Sequence, residues 1–562
     1  MRASSGITWL PGGLPWKPLL SWRDGCWRAL SPTCRLRSLR PGTSLPAHAH
    51  RLHRSILQPR PAPLSTDLSF ETHGAEHIPA AERHARPSDL FRLLFGGCNT
   101  FSTSVLGSFP VFLGLSLRDG AAALLLGLLA GSLALAPMSL FGPRNGTNDP
   151  VSSSAHFGVY GRLIGSFQLL LTALVFFSLA VWSSGDALVG GAHALAGLPV
   201  TPLTLGLAYA LFALVVVAIC IYGFRLMLWF NRIAVGAASV LFLVALFAFA
   251  PSFDRGYAGS LTHGDAGWWA AFVASATVAA SNPLSFAATL GDWGRYIPEA
   301  TPRRRLMGAV LLAQAATLLP LGFGLCTASI LAVQAPQFVD SGDYIGGLIA
   351  IAPGWFLLPL CLIAVIGGVA TGTTALYGTG LDVSNLFPRQ FNRARATLLI
   401  GLLAVAVIFV GRFVLNLVES VAAFAALIGA FSCPWLAVMV IGYLTRRGHY
   451  LPAELQALSR RVKGGSYWFT GGWNLRALAA WLVGSSLGLL FAQVPDRFTG
   501  PLSAWVGGLD LSAPVSLLAG AAVYLLLLWR FPEPEALYGS EGRWPLTRAA
   551  SARDPASASP LS

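Results

Sequence analysis

The chain has 562 residues, of which 54% are hydrophobic and only 11% charged, whereas soluble globular domains carry roughly a quarter charged residues. This composition excludes an ordinary soluble protein, and because the apolar runs recur with no polar domain between them, one membrane-embedded unit is the expected organisation. A net charge of +14 would fit nucleic acid only if the basic residues formed a patch, and their positions along the chain decide that question.

Residues 1–66 hold nine arginines and one lysine against a single acid, Asp24, and Pro11, Pro15 and Pro18 interrupt their apolar stretches. The segment shows no secretory signal; its composition fits a transit peptide, or upstream DNA translated from a start chosen too early. Arginine and proline without apolar periodicity do not offset the entropy of ordering, so residues 1–85 are expected to be a disordered basic extension on which function does not depend.

From Phe91 onward, apolar segments alternate with short polar loops. Spans are expected near 91–117, 119–141, 163–195, 202–222, 233–250, 267–290, 306–333, 354–380, 396–411, 414–444, 476–494 and 514–530, about twelve in all. One set of loops carries Arg144, Arg162, Arg225, Arg232, Arg295, Arg303, Arg304, Arg305, Arg389, Arg393, Arg395, Arg446, Arg447, Arg460, Arg461, Lys463 and Arg476, seventeen basic residues. The alternate loops carry only Arg118, Arg255, Arg412 and Arg497. This asymmetry places both termini in the cytoplasm and makes the basic charge topological, which excludes a nucleic-acid partner. Seven cysteines form no CxxC pair, so neither a zinc site nor a disulfide framework is indicated.

Binding sites of secondary transporters lie where a span in each half loses its helix near the midplane. Span 1 carries Gly96-Gly97-Cys98-Asn99 and span 6 carries Ser281-Asn282-Pro283. Helix breaks are expected at both, with the amides of Asn99 and Asn282 bonding polar edges of a substrate and freed carbonyls binding a cation. Helix packing alone would also favour such small residues.

Span 3 contains Trp182-Ser183-Ser184-Gly185-Asp186. The four-residue spacing puts Trp182 and Asp186 on one helical face, and a carboxylate in lipid marks a functional position unless it lies at the interface. An indole stacks on a flat heterocycle and a carboxylate accepts its N–H groups, with Phe286 as a second aromatic wall. Asp292 and Arg295, at the end of span 6, read as a structural pair or gate contact. Span 8 concentrates Thr371, Thr373 and Thr374 among glycines, and such hydroxyls suit a hard cation. Glu419 in span 10 is a further acid that ranks below Asp186 as a proton carrier.

The stretch Gly142-Pro143-Arg144-Asn145-Gly146 through Phe157-Gly158-Val159-Tyr160-Gly161, and the span 6 ending Gly291-Asp292-Trp293-Gly294-Arg295-Tyr296-Ile297-Pro298, resemble the nucleobase:cation symporter-1 family, whose carriers serve cytosine, purines, hydantoin, allantoin and uracil. The resemblance covers residues 88 to about 530. It implies an all-α polytopic membrane protein with a leucine-transporter-type five-plus-five inverted repeat and two further C-terminal helices. The repeats would occupy residues 86–250 and 251–446, spans 11 and 12 residues 447–530, and a disordered cytoplasmic tail residues 531–562. It further implies a base held between Trp182 and Phe286, with Asp186 at a position commonly filled by an amide. A cation, Na+ or H+, would be bound by the carbonyls of Phe95 and Cys98 and the hydroxyls of Thr371 and Thr374, Thr374 also facing the substrate.

The reading is therefore a plasma-membrane importer of a nucleobase by cation symport, with the lipid bilayer and the base as its partners and no cofactor, enzymatic activity or obligate protein partner. A carrier of a related heterocycle, such as hydantoin, allantoin, uracil or a thiamine pyrimidine precursor, or of an amino acid, is the alternative on the same fold. An intramembrane enzyme would need a His/Asp or metal constellation, which His156 and His193 do not make. A sensor that binds without transporting would need a larger signalling tail than the residues after Arg530.

Overall fold

The computed structural model describes residues 76–539 except 223, 388–389, 415–416 and 495–497. The extension up to residue 75, the tail from 540, Arg389 and Arg497 lie outside the described residues, as do the side chains of Arg225, Arg393, Arg412 and Glu419. Among the described residues, nine helices are long and apolar enough to cross a membrane, and the shorter apolar helices Phe101–Phe112, Ala394–Phe409 and Leu475–Leu490 lie where spans 1, 9 and 11 were expected.

Span 1 is broken. Its first half, Pro87–Cys98, opens with proline at the first helical turn, where the missing N–H has no partner to lose. It ends at Asn99 (ψ 66°) and the extended Thr100, whose hydroxyl accepts the Thr103 N–H and so starts the second half, Phe101–Phe112. The glycines and the short polar side chains that compete for backbone groups place this break where the sequence indicated.

Span 6 is broken too, but later than expected. Its long half, Ala266–Ser285, runs through Ser281-Asn282-Pro283, and the interruption occupies residues 286–289 before the short half Leu290–Gly294. A proline removes its own N–H and disturbs the turn behind it, yet leaves the next residues free to stay helical. Here Ser285 turns its hydroxyl back on Asn282 O and the Phe286 N–H reaches Pro283 O, so the helix tightens and stops just after the proline.

The packing exchanges when each span is renumbered by five: span 1 lies on span 7 as span 6 lies on span 2, span 1 on span 5 as span 6 on span 10, and span 4 on span 8 as span 9 on span 3. Both members of the first exchange are glycine crossings. A Cβ on Gly107 would sit 2.1 Å from Leu321 O of span 7, and one on Gly127 of span 2 would sit 2.0 Å from Ala276 O of span 6. Backbones meet at these points because no side chain intervenes. Spans 3 and 8 (Arg162–Ala196 and Leu357–Leu386) pack along one another, and spans 11 and 12 pack on each other and on span 10.

Two findings lie outside the sequence reading. Residues 76–85 and 531–539, assigned to disordered ends, are ordered here: Arg83 donates to Ile78 O and Pro143 O, and Glu533 is buried against Arg446. Several arginines of the basic loops are also enclosed rather than solvated. Arg162, Arg295 and Arg446 are fully buried, and Arg162 pairs with Asp382 at 2.8 Å, tying span 3 to span 8. Removing one partner of such a pair leaves a buried charge uncompensated, at a cost of about 3–5 kcal/mol.

The loop between spans 2 and 3 holds a buried helix, Asp149–Phe157, capped by Asn148, whose side chain accepts the Val151 N–H. Its His156 shares a hydrogen bond of 2.9 Å with Tyr450 through Nε2. Burial first and the Arg446 charge second hold this imidazole well below the usual histidine range, so it stays neutral in the folded protein. The unfolded chain takes up a proton below about pH 6.5 and the folded one does not, so stability is lost as the pH falls. The purified protein should therefore lose thermal stability between about pH 7 and about pH 5, and His156→Gln should flatten part of that loss. Melting curves of the two proteins that run parallel over this range would remove His156 as the cause.

Candidate functional site

The breaks of spans 1 and 6 meet span 8 at Gly97. A Cβ there would lie 2.9 Å from Thr374 Oγ1 and 3.4 Å from the Phe286 ring, so the three elements close on a glycine that no other residue could replace without displacement. Thr371 Oγ1 donates to Gly97 O at 2.8 Å. Thr374 turns its proton onto the carbonyls of Ala370 and Thr371, within its own helix. Phe95 O takes the N–H of Asn99 at 2.7 Å and Cys98 O that of Thr100 at 2.9 Å, and each carbonyl keeps a second lone pair. The four residues expected to hold a cation thus lie on the two elements that Gly97 joins. Their neutral oxygens are of the type a hard monovalent cation takes. No cluster of His, Cys, Asp or Glu able to hold a metal occurs among the described residues.

Cys98 and Asn99 part company. Cys98 Sγ donates to Asn282 Oδ1 at 3.3 Å and links the two broken spans directly. Asn99 instead faces span 5, its Nδ2 donating to Ser239 Oγ at 3.0 Å and lying 3.5 Å from Val235 O. The expectation that both amides turn to a substrate is corrected for Asn99. Successive residues of a helix point about 100° apart, so a chain that turns Cys98 toward span 6 turns Asn99 away from it.

Trp182 and Asp186 share a helical face as their spacing required, and they also bond to each other: the indole Nε1 donates to Asp186 Oδ2 at 2.8 Å. The other carboxylate oxygen accepts the hydroxyl of Tyr209 from span 4. Tyr209 reaches it because Gly185 carries no side chain; a Cβ there would stand 2.3 Å from the tyrosine ring. Span 4, Pro202–Tyr222, is so uniformly apolar that nothing in its own sequence sets Tyr209 apart, and only the glycine beside Asp186 could have signalled a ring crossing there. Neighbouring serines fix the height of this face: Ser183 bonds Ser102 of span 1 at 2.9 Å and Ser184 donates to Ala364 O of span 8 at 2.8 Å. Phe286 therefore stands against the first half of span 1 at Gly97, while Trp182 adjoins the contact made just beyond the break.

Asp292 packs against span 8 one helical turn past Thr374. Its Oδ2 lies 2.0 Å from where a Cβ on Gly378 of span 8 would be, and Arg295 sits buried with its guanidinium 5.0 Å from the Tyr296 ring. Both lie at the arginine-rich end of the bundle.

The protons of Thr371, Thr374, Cys98, Trp182 and Tyr209 are all directed to protein acceptors, so the hydroxyl and thiol groups among them can add only lone pairs, and the indole only its ring face. Such oxygens can take a cation or the N–H edge of a ring.

A family model described as a permease for cytosine/purines, uracil, thiamine and allantoin matches residues 77–512. The YxlA protein of Bacillus subtilis (strain 168), provisionally named a purine-cytosine permease, is 25% identical over 469 residues, spanning 82% of this chain and 96% of its own. Mhp1, a transporter of the nucleobase-cation-symport-1 family solved closed with bromovinylhydantoin bound, aligns with a TM-score of 0.62 at 17% identity, over 84% of this chain and 98% of that one. Its inward-facing conformation gives 0.61. At this identity the likeness is one of fold, the five-plus-five arrangement of broken helices that the packing exchange displays.

The tyrosine crossing has a direct consequence for stability. Gly185→Ala should push Tyr209 off Asp186 and lower the melting temperature, an overpacking cost of about 1–3 kcal/mol. Gly236→Ala in span 5, where a Cβ meets nothing within 4 Å, should leave it unchanged or raise it. Equal melting temperatures for the two variants would mean that the crossing constrains nothing.

Proposed function

We propose that this chain, which belongs to the family of permeases for cytosine/purines, uracil, thiamine and allantoin, imports a nucleobase, cytosine or a purine, together with a monovalent cation. It is an integral membrane transporter and not an enzyme. Both termini lie, on this proposal, in the cytoplasm beneath the plasma membrane, as the loop arginines favour.

One observation supports this most: where both broken spans meet span 8, the hydroxyl and thiol protons of Thr371, Thr374 and Cys98 are already engaged, while the carbonyl oxygens of Phe95 and Cys98 each keep a second lone pair. A cation would take oxygens of Phe95, Cys98, Thr371 and Thr374. A planar base would stack between Trp182 and Phe286, its N–H edge toward Asp186 and the Asn282–Cys98 pair. The name given to YxlA supports a base as cargo, and the hydantoin in Mhp1 is likewise a flat ring bearing N–H groups.

Coupling follows from differential affinity. If ion and base each bind the conformer with the arginine-rich end closed better than the opposite one, each raises the affinity for the other, and closure of the far side commits both to release. No chemical change of the base is involved. Asp186, held by Trp182 and Tyr209, sets the plane of the stacking wall and adds a negative charge that rewards N–H donors.

In proteoliposomes, radiolabelled cytosine or adenine should accumulate on an imposed Na+ or proton gradient. Trp182→Ala should abolish this uptake with the protein still inserted, and Asp186→Asn should change the ranking of competing bases. A purine methylated at every N–H should fail to compete where its unmethylated parent succeeds. Uptake unaffected by Trp182→Ala, or equal competition by the methylated purine, would sink the assignment of this site.

A further inference from the structure

At the arginine-rich end, the ordered chain after span 12 is built into the bundle. Glu533 lies buried, its Oε2 accepting from Arg446 Nη2 at 2.7 Å and Nε at 3.2 Å, and its Oε1 accepting from Asn474 Nδ2 at 3.1 Å. Both partners hold one further element. Arg446 Nη1 donates to Ala155 O at 2.8 Å, and Asn474 Nδ2 donates to His156 O at 2.6 Å. These carbonyls end the helix Asp149–Phe157. At its other end, Asp149 Oδ2 accepts the N–H of Gly291, in the short half of span 6, at 2.6 Å. Gly291 allows this approach, since a Cβ there would stand 2.6 Å from Asp149 N.

The helix is thus a strut of nine residues, about 13 Å long at 1.5 Å per residue. One end is pinned by the chain after span 12, and the other is pinned to the broken span that borders the candidate site. It packs along span 3 and touches spans 10 and 11, and its contact with span 6 is narrow. Two donors that reach both Glu533 and the strut make that acid the common anchor, because without its charge Arg446 keeps only neutral acceptors.

We infer that Glu533 is a positioning residue for closure of the arginine-rich end: through Arg446 and Asn474 it seats the helix 149–157 so that Asp149 captures the short half of span 6. The conformer with this end closed is favoured while the strut is seated, and release of Glu533 shifts the population toward the conformer open at this end. The inference needs no particular cargo and stands apart from the identity of the transported base.

The test uses the full-length chain in detergent, with a cysteine introduced by Leu290→Cys. Leu290 is buried beside Gly291, and its reaction with a bulky charged maleimide, corrected for labelling of the chain without the added cysteine, reports opening. Glu533→Gln should raise the labelling rate by about tenfold, within the usual range of coupling between distant sites. Glu533→Asp, which keeps the charge, should stay near the parent. Asp149→Asn should also raise the rate, and combining it with Glu533→Gln should add little, because both act through one strut. A purely structural role would lower the melting temperature and yield while leaving the labelling rate unchanged well below melting. That result, or independent multiplication of the two effects, overturns the inference. Should Glu533→Gln fail to fold, Asn474→Ala cuts one of the two links, and an unchanged labelling rate in that variant together with Asp149→Asn overturns it equally.

Discussion

A backbone N–H or C=O in hydrocarbon finds no water, and each one left bare costs several kcal/mol. A membrane helix can therefore be interrupted only where the protein itself supplies replacement partners. In span 1 the Asn99 and Thr100 N–H groups fall back on Phe95 O and Cys98 O, Thr100 caps the second half-helix, and the Thr371 hydroxyl comes from span 8 to Gly97 O. In span 6 the chain tightens, with Phe286 N–H on Pro283 O and Leu290 N–H on Phe286 O, and Asp149 reaches in from a loop to take the Gly291 N–H.

How much of this could be read from the sequence depended on the range of the physics involved. Hydropathy and loop charge are local, and most helix ends fall within a few residues of the expected spans, although span 5 begins at Phe224 rather than near 233. The break in span 1 was legible because glycine, asparagine and threonine act on their own backbone. The break in span 6 was displaced because Pro283 forbids one hydrogen bond without dictating where the helix finally stops. The direction of Asn99 was illegible for a different reason: an amide at a break serves either neighbouring surface, and only packing against Ser239 decides. Tyr209 illustrates the limit, since its hydroxyl is explained by Asp186, twenty-three positions away and in another span.

The arginines separate two uses of charge that the sequence merges. Counting them yields a topology, for which it is immaterial whether a side chain is solvated. Arg162 and Arg446 are nevertheless enclosed with Asp382 and Glu533, and an enclosed ion pair contributes little net stability while penalising every arrangement that separates it. Such pairs define which surfaces belong together. Their concentration at one end of the bundle means that this end is defined by specific pairings, whereas the crossings of spans 1 with 7 and 6 with 2 are defined by shape.

The same distinction bears on Asp186. A carboxylate in the membrane must be compensated by donors, and here Trp182 and Tyr209 supply them from two different spans. The tyrosine is possible only through Gly185, so three residues of span 3 and one of span 4 form a single device in which no member has an independent meaning. An indole whose N–H is anchored cannot swing about its Cα–Cβ bond to follow a ligand, and its face is presented at a fixed tilt. If Trp182 is the stacking wall proposed above, rigidity of that kind narrows what can stack there, because a ring of the wrong outline cannot recruit a compensating rotation. On that proposal, selectivity arises from the anchoring of the wall as much as from the groups that would touch the cargo.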